Sequence, residues 1–307
     1  MSHTIIIAII ISILRLSVPV VITGLGNMFS VRAGIMNLGA EGMMITGAFC
    51  AVLGSYFTGN PWIGVICGVM GGMVIGLFHS LICVEFGGMQ NISGLGLNML
   101  AAGLTSFFCR SIYGTGFSPT VASIQKTGFL AKIPLIGNVL AQFSPIFYVL
   151  ILLFLLCCFI VDKTVVGLRM NSVGFNPQMV ETAGIDVWKL KHISVLVCGS
   201  LAGLAGAYLS IGQLNIFMEG MTMGKGMLAV IAVQMGRQQP QRILIIALIF
   251  GLCDALQLQL QINNVGIAPE LIQTIPYIAG ITALAMDSSA GIAPRMMQPY
   301  LKNKYKF

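Results

Sequence analysis

The side chains able to do acid–base, nucleophilic or metal chemistry are few and scattered. His3, His79 and His192 have no carboxylate or cysteine at metal-ligand spacing, so neither a metal site nor a catalytic set emerges. The eight cysteines lie in or beside apolar runs, none with CxxC spacing, and Cys157 is adjacent to Cys158; all read as small apolar fillers. GlyMetThrMetGlyLysGly at 220–226 imitates a phosphate loop. That motif needs four residues between its glycines and Ser or Thr after the lysine, whereas here three intervene and Gly226 follows Lys225. No catalysis and no ATP binding are expected of this chain, and no cofactor.

What remains is polar side chains embedded in apolar sequence. Asn37 and Glu41 are four residues apart, on one helix face. Asn91 and Asn98 flank GlyLeuGly at 94–96; Glu219 precedes a short apolar segment; Asp254, Gln257 and Gln261 share a face of the next. Polar groups are costly in lipid and turn to the bundle interior, which makes Asn37, Glu41, Asn98, Glu219, Asp254 and Gln257 candidates to line a translocation path. The competing reading is interhelical hydrogen bonding that fixes the bundle. The lack of a spaced Asp/Glu/His relay argues against a proton-driven carrier.

The elements that must position these residues follow from composition. Of 307 residues 57% are hydrophobic, and only 16 basic and 9 acidic side chains are present. A soluble chain of this length would carry roughly 77 charges. The 37 glycines suit helices packed closely in lipid. The chain is therefore read as an all-α, polytopic membrane helix bundle, which excludes a soluble enzyme, a nucleic-acid binder and a disordered regulator. Charge-free runs at 42–84 (two spans, with GlyAsnPro at 59–61 as the turn), 86–109, 133–161 and 193–218, with candidates near 4–23, 243–262 and 270–286, give about eight spans, within a range of eight to ten. The stretch 226–236, between Lys225 and Arg237, is too short for an ordinary span and reads as a re-entrant or broken helix.

Lys163, Arg169, Lys189 and Lys191 in 162–192, and Arg295, Lys302, Lys304 and Lys306 in the tail, place both regions in the cytoplasm. The division is a single transmembrane domain at 1–290, with the cytoplasmic loop 162–192 inside it, and a short basic cytoplasmic tail at 291–307. Arg15 lies deep in the first apolar run: either that helix starts later, or Arg15 snorkels. Gly64, Gly68, Gly72 and Gly76 make one smooth ridge and Gly199, Gly203 and Ala207 another, for static packing or for sliding. A GluGlyMet echo at 41–43 and 219–221 is compatible with a two-half repeat without establishing one.

ArgAlaGlyIleMetAsnLeuGlyAlaGluGlyMetMet (32–44) resembles the opening signature of permease subunits of ABC importers for nucleosides and simple sugars, within the larger group of ribose and branched-chain amino-acid permeases. The resemblance continues through 166–177, 181–185, 199–207, 217–226 and 251–261, in order across most of 15–290, and GluGlyMetThr and AspAlaLeuGln are closest to the nucleoside branch. Phe175 stands where the family is usually polar, and Gln238, Gln239 and Gln241 replace its commoner surroundings of Pro240. The resemblance implies a multi-pass permease of a bacterial inner membrane. Its implied partners are a homologous permease, two ATP-binding subunits carrying ATP and Mg, and an extracytoplasmic binding lipoprotein, and its cargo a small polar solute. An ion-gradient carrier or a non-transporting scaffold are the readings from other classes.

A permease of that kind must present a cytoplasmic helix to its ATPase. From Pro177 to about Ile185 the sequence predicts one: Asn176 as cap, Pro177 in the first turn, Glu181 in the body and Gly184 to end it after Ala183.

Overall fold

The computed structural model describes residues 2–122, 124 and 143–262, with the isolated positions 271, 274, 275, 277, 278, 280 and 282; side chains are described from residue 9. Among these residues seven helices are long and apolar enough to cross a membrane, in a polytopic all-α arrangement. The expected span near 270–286 and the tail at 291–307 lie largely or wholly outside the described residues.

Helix α1 (Ser2–Arg32) is continuous through Arg15 and runs nine residues past the apolar stretch that announced it. Beyond the expected stretch it carries polar Asn27 and Ser30, which are fully buried inside the bundle with Thr23. Pro19 lies within it. A proline lacks the N–H that would bond the carbonyl four residues back, here Arg15. That carbonyl instead accepts from the Gln213 side-chain amide at 2.9 Å and the Tyr208 hydroxyl at 3.5 Å, so the backbone stays satisfied away from water. Since the helix does not start later, Arg15 sits about 26 Å along the axis from Arg32, near the opposite interface.

Helix α2 (Ala40–Thr58) follows a turn at 33–39 and ends on left-handed Gly59, whose N–H donates to the Ser55 carbonyl. Asn60 then caps α3 (Pro61–Ser80), accepting from the Trp62 N–H at 2.9 Å, with Pro61 in its first turn. The expected GlyAsnPro turn is thus the observed one. The two small-residue ridges face each other. A Cβ on Gly72 would collide with the Gly199 carbonyl oxygen, and one on Gly203 with the Gly68 carbonyl oxygen. Only hydrogen at these positions lets the α3 backbone lie against the helix Val187–Ala207.

After a π-helical turn at Leu81–Glu85 come α4 (Gln90–Tyr113) and α5 (Pro145–Lys163). Two short helices follow, α6 (Val165–Phe175) and α7 (Pro177–Thr182). Helix α8 (Val187–Ala207) continues as a π-helix at Tyr208–Leu214. Helix α9 (Lys225–Met235) and α10 (Pro240–Ile262) complete the described bundle. With 11 residues α9 spans about 16 Å, roughly half of a hydrocarbon core; it is the anticipated broken helix.

Contacts between helix ends sort them into two sets. At the end rich in basic residues, the Arg32 guanidinium donates to the Gln238 carbonyl at 2.7 and 3.0 Å, and Trp188 Nε1 donates to Glu85 at 3.0 Å. Arg237 and Gln238 are both left-handed there, which turns α9 into α10 and presents that carbonyl to Arg32. At the opposite end, residues 116–121 pair with 215–219 through backbone bonds including Ser118 N–H to Phe217 C=O at 2.9 Å.

Candidate functional site

The turn at 219–224, just before α9, carries three left-handed residues, Gly220, Met223 and Gly224. They curl the backbone so that its N–H groups converge, as in a phosphate-binding nest. The resemblance of 220–226 to a phosphate loop thus has a geometric counterpart, but the anion held is internal. Glu41, in the first turn of α2, accepts from the Thr222 hydroxyl at 2.5 Å and the Gly224 N–H at 3.0 Å through Oε1, and from the Gly226 N–H at 2.6 Å through Oε2. A carboxylate there meets the positive end of α9 and satisfies donors that no earlier turn can.

Asn37 and Asn98 hold the other side of this junction. The Asn37 carbonyl oxygen accepts from the Gly39 N–H at 2.9 Å, and its amide donates to Cys198 Sγ at 3.2 Å. Asn98 accepts from the Gly42 N–H at 2.7 Å and donates to the Leu38 carbonyl at 2.8 Å. Gln90 accepts from the Met36 N–H at 2.7 Å, and Gly94 lies so near Gly39 that a Cβ would be 2.8 Å from its nitrogen. Residues 90, 94 and 98 recur every fourth position, so one face of α4 clamps the 33–39 turn. That spacing was legible in the sequence, yet Gln90 was not singled out.

Asp254 and Gln257 do share a face of α10, and both line a cavity of about 190 Å³ with Leu16, Met223, Lys225, Leu228, Leu258 and Tyr277. Lys225 Nζ bonds Asp254 Oδ2 at 2.5 Å, with 13% and 15% of the two side chains exposed, so the charges are paired largely out of water. The Tyr277 hydroxyl donates to the Met223 carbonyl at 3.2 Å. Lys225 and Tyr277 belong to this site, although in the sequence Lys225 reads only as a boundary and as part of a failed phosphate-loop match.

Glu219 stands apart. It receives a two-pronged bond from Arg110 at 2.7 Å per contact, at the end of the bundle opposite the basic one. The guanidinium holds the Glu219 carboxyl below the usual carboxylate range. The GluGlyMet echo therefore joins two unlike places: Glu41 begins a helix, whereas Glu219 lies six residues before one. Among the described residues, no three His, Cys, Asp or Glu side chains are grouped to hold a metal.

The loop 162–192 is folded. Asn176 accepts from the Met179 N–H at 3.3 Å to cap α7, with Pro177 in its first turn. The helix ends at Thr182, slightly before the expected end, where Gly184 (φ +79°) donates to the Glu181 carbonyl and Ile185 to that of Val180. This pair of bonds is the Schellman closure, which requires a left-handed residue at Gly184. Val180 is buried with Val173 and Val187, and Ile185 packs against them. Met179, Glu181, Ala183 and Gly184 are exposed.

Comparison with known proteins agrees with this architecture. Residues 9–284 match the family model described as branched-chain amino acid transport system / permease component. The guanosine ABC transporter permease protein NupQ of Bacillus subtilis is 34% identical over 308 residues, 93% of this chain and 94% of the relative. The nucleoside ABC transporter permease protein NupC of Lactococcus lactis is 30% identical over 301 residues, 94% of each. TsgC13 of Haloferax volcanii, provisionally described as a glucose ABC transporter permease protein, is 34% identical over 287 residues, 86% of each. No solved structure matches the chain significantly. With seven apolar spans among the described residues, a broken helix held inside them and a family match over residues 9–284, the chain belongs to the ABC-transporter permeases of the branched-chain amino acid transport system permease family.

Proposed function

We propose that this chain is the membrane-spanning permease of an ATP-driven importer for nucleosides, in a bacterial inner membrane. It provides the path for the solute and draws its energy from ATP-binding subunits on the cytoplasmic face. The observation that carries this reading is the half-helix α9, whose amino end lies inside the bundle next to a cavity with a paired Lys225 and Asp254. A broken helix at membrane depth is tolerated where it lines a path. The nucleoside assignment is supported by the relatives named for guanosine and nucleosides, whose lengths this chain matches almost fully. A simple sugar is the second reading, supported by TsgC13.

Coupling is assigned to α7 and its turn. Asn176 and Pro177 set the helix, Glu181, Ala183 and Gly184 face outward with Met179, and Ile185 anchors the unit from below. The remaining partners in this reading are a homologous permease and an extracytoplasmic binding lipoprotein. Reconstitution with the neighbouring transporter subunits tests the proposal: ATP-dependent uptake of guanosine supports it. Uptake that persists without ATP and without an ATPase subunit shows an ion-driven carrier and overturns it.

A further inference from the structure

We infer that the Lys225–Asp254 pair is a solute-contact point that reads the lactam edge, N–H beside C=O, of a neutral nucleobase. The inference rests on the nucleoside reading above and specifies how the cavity would recognise its cargo.

Three features lead to it. First, the attraction that the amino end of α9 would exert on an anionic solute is already answered by the Glu41 carboxylate, which accepts from the Gly224 and Gly226 N–H groups. Second, the cavity's remaining charges neutralise each other, and a net-charged solute would have to break a pair held at 2.5 Å and only 13–15% exposed. Third, a bonded ammonium and carboxylate place a donor beside an acceptor. The ammonium has two more N–H groups than its bond to Oδ2 uses, and Oδ1 retains its acceptor capacity. A lactam edge presents the complementary order, its N–H toward Asp254 and its C=O toward Lys225.

The walls decide between a base and a sugar. Leu16, Met223, Leu228 and Leu258 line the same space. Against them a flat ring loses nothing, whereas the hydroxyls around a hexose would lack partners. Gln257 and the Tyr277 oxygen are the further polar groups of the lining and would serve the ribose.

The test is equilibrium binding of radiolabelled guanosine to the purified full-length chain with its co-purifying subunits, competed by guanosine, 1-methylguanosine and glucose. Methylation at N1 removes the lactam N–H and changes little else. The inference expects 1-methylguanosine to compete at least tenfold more weakly than guanosine, and that ratio to shrink toward one in Asp254→Asn. Guanosine bound with no penalty for the methyl group, or with the same penalty in Asp254→Asn, overturns the inference and leaves the nucleoside importer standing. No binding of radiolabelled guanosine, with radiolabelled glucose bound by the same preparation instead, overturns the nucleoside reading itself. The analogue comparison on the unsubstituted protein decides the question even if Asp254→Asn fails to fold.

Discussion

Glu41 Oε2 accepts the Gly226 N–H at 2.6 Å, and a Cβ on Gly226 would stand 2.5 Å from the Glu41 Cα. The first turn of α2 and the first turn of α9 thus meet backbone to backbone, one providing the charge that the other's free N–H groups require. Residues nearly two hundred positions apart together build the break in the bundle.

Replacing Glu41 by glutamine leaves one acceptor oxygen for three donors and turns an amide N–H₂ toward at least one of them. The expected cost is about 2 kcal/mol, the range for a hydrogen bond to a charged group. Gly226→Ala should be at least as damaging. Thermal unfolding of the purified protein in detergent checks both, and a melting curve for Glu41→Gln that overlays the parent's would remove it from the role of cap.

Glycine contacts between α3 and α8 predict a sharp positional contrast. Gly72→Ala and Gly203→Ala push a methyl into a facing backbone and should destabilise by about 1–3 kcal/mol, the usual range for overpacking. Gly96→Ala and Gly103→Ala on α4 meet nothing within 4 Å and should be silent or slightly stabilising. Equal melting temperatures across the four variants would contradict the close packing.

The α7 turn separates docking from folding. Ala183 is exposed and Gly184 has open space around it, so an arginine at either position meets no internal obstacle. At Gly184 the left-handed φ of +79° adds about 1 kcal/mol of strain for a side chain. Gly184→Asn, which tolerates that conformation, is the control. Ala183→Arg and Gly184→Arg should insert normally yet lose ATPase co-purification and uptake, with Gly184→Asn near the parent. Retained ATPase binding in Ala183→Arg would argue against docking at this turn.

The Arg110–Glu219 pair predicts an acid-sensitive tether at the end opposite α6 and α7. Arg110 lowers the folded-state pKa of Glu219. Its contribution is therefore fully present above the ordinary glutamate value and is lost as pH falls through the lowered folded value. Stability measured from neutral to acid pH should fall more steeply in the parent than in Arg110→Gln. Parallel profiles would mean that the pair adds nothing to the fold.

Much of this architecture was legible in the sequence, for reasons visible in particular residues. Charge-free runs must be spans because the bilayer admits little else; a GlyAsnPro turn must end one helix and begin another. Asn176, Pro177 and Gly184 specify a capped, closed turn through local geometry alone. The short stretch between Lys225 and Arg237 read as a re-entrant or broken helix for want of length. All of these are decided within a few residues of themselves.

Tertiary structure decided the rest, because it depends on which surfaces meet. The first span was expected near 4–23, yet the helix runs on to Arg32 because polar Asn27 and Ser30 are buried as part of the bundle interior. Arg15 was ambiguous until Gln213, carried by a distant π-helical turn, answered the carbonyl that Pro19 leaves open. Glu41 and Glu219 share a tripeptide, yet one caps a half-helix inside the bundle and the other pairs with Arg110 at its end. The sequence names such groups as costly to bury; only the packing of helices far apart in the chain supplies the partner that offsets the cost.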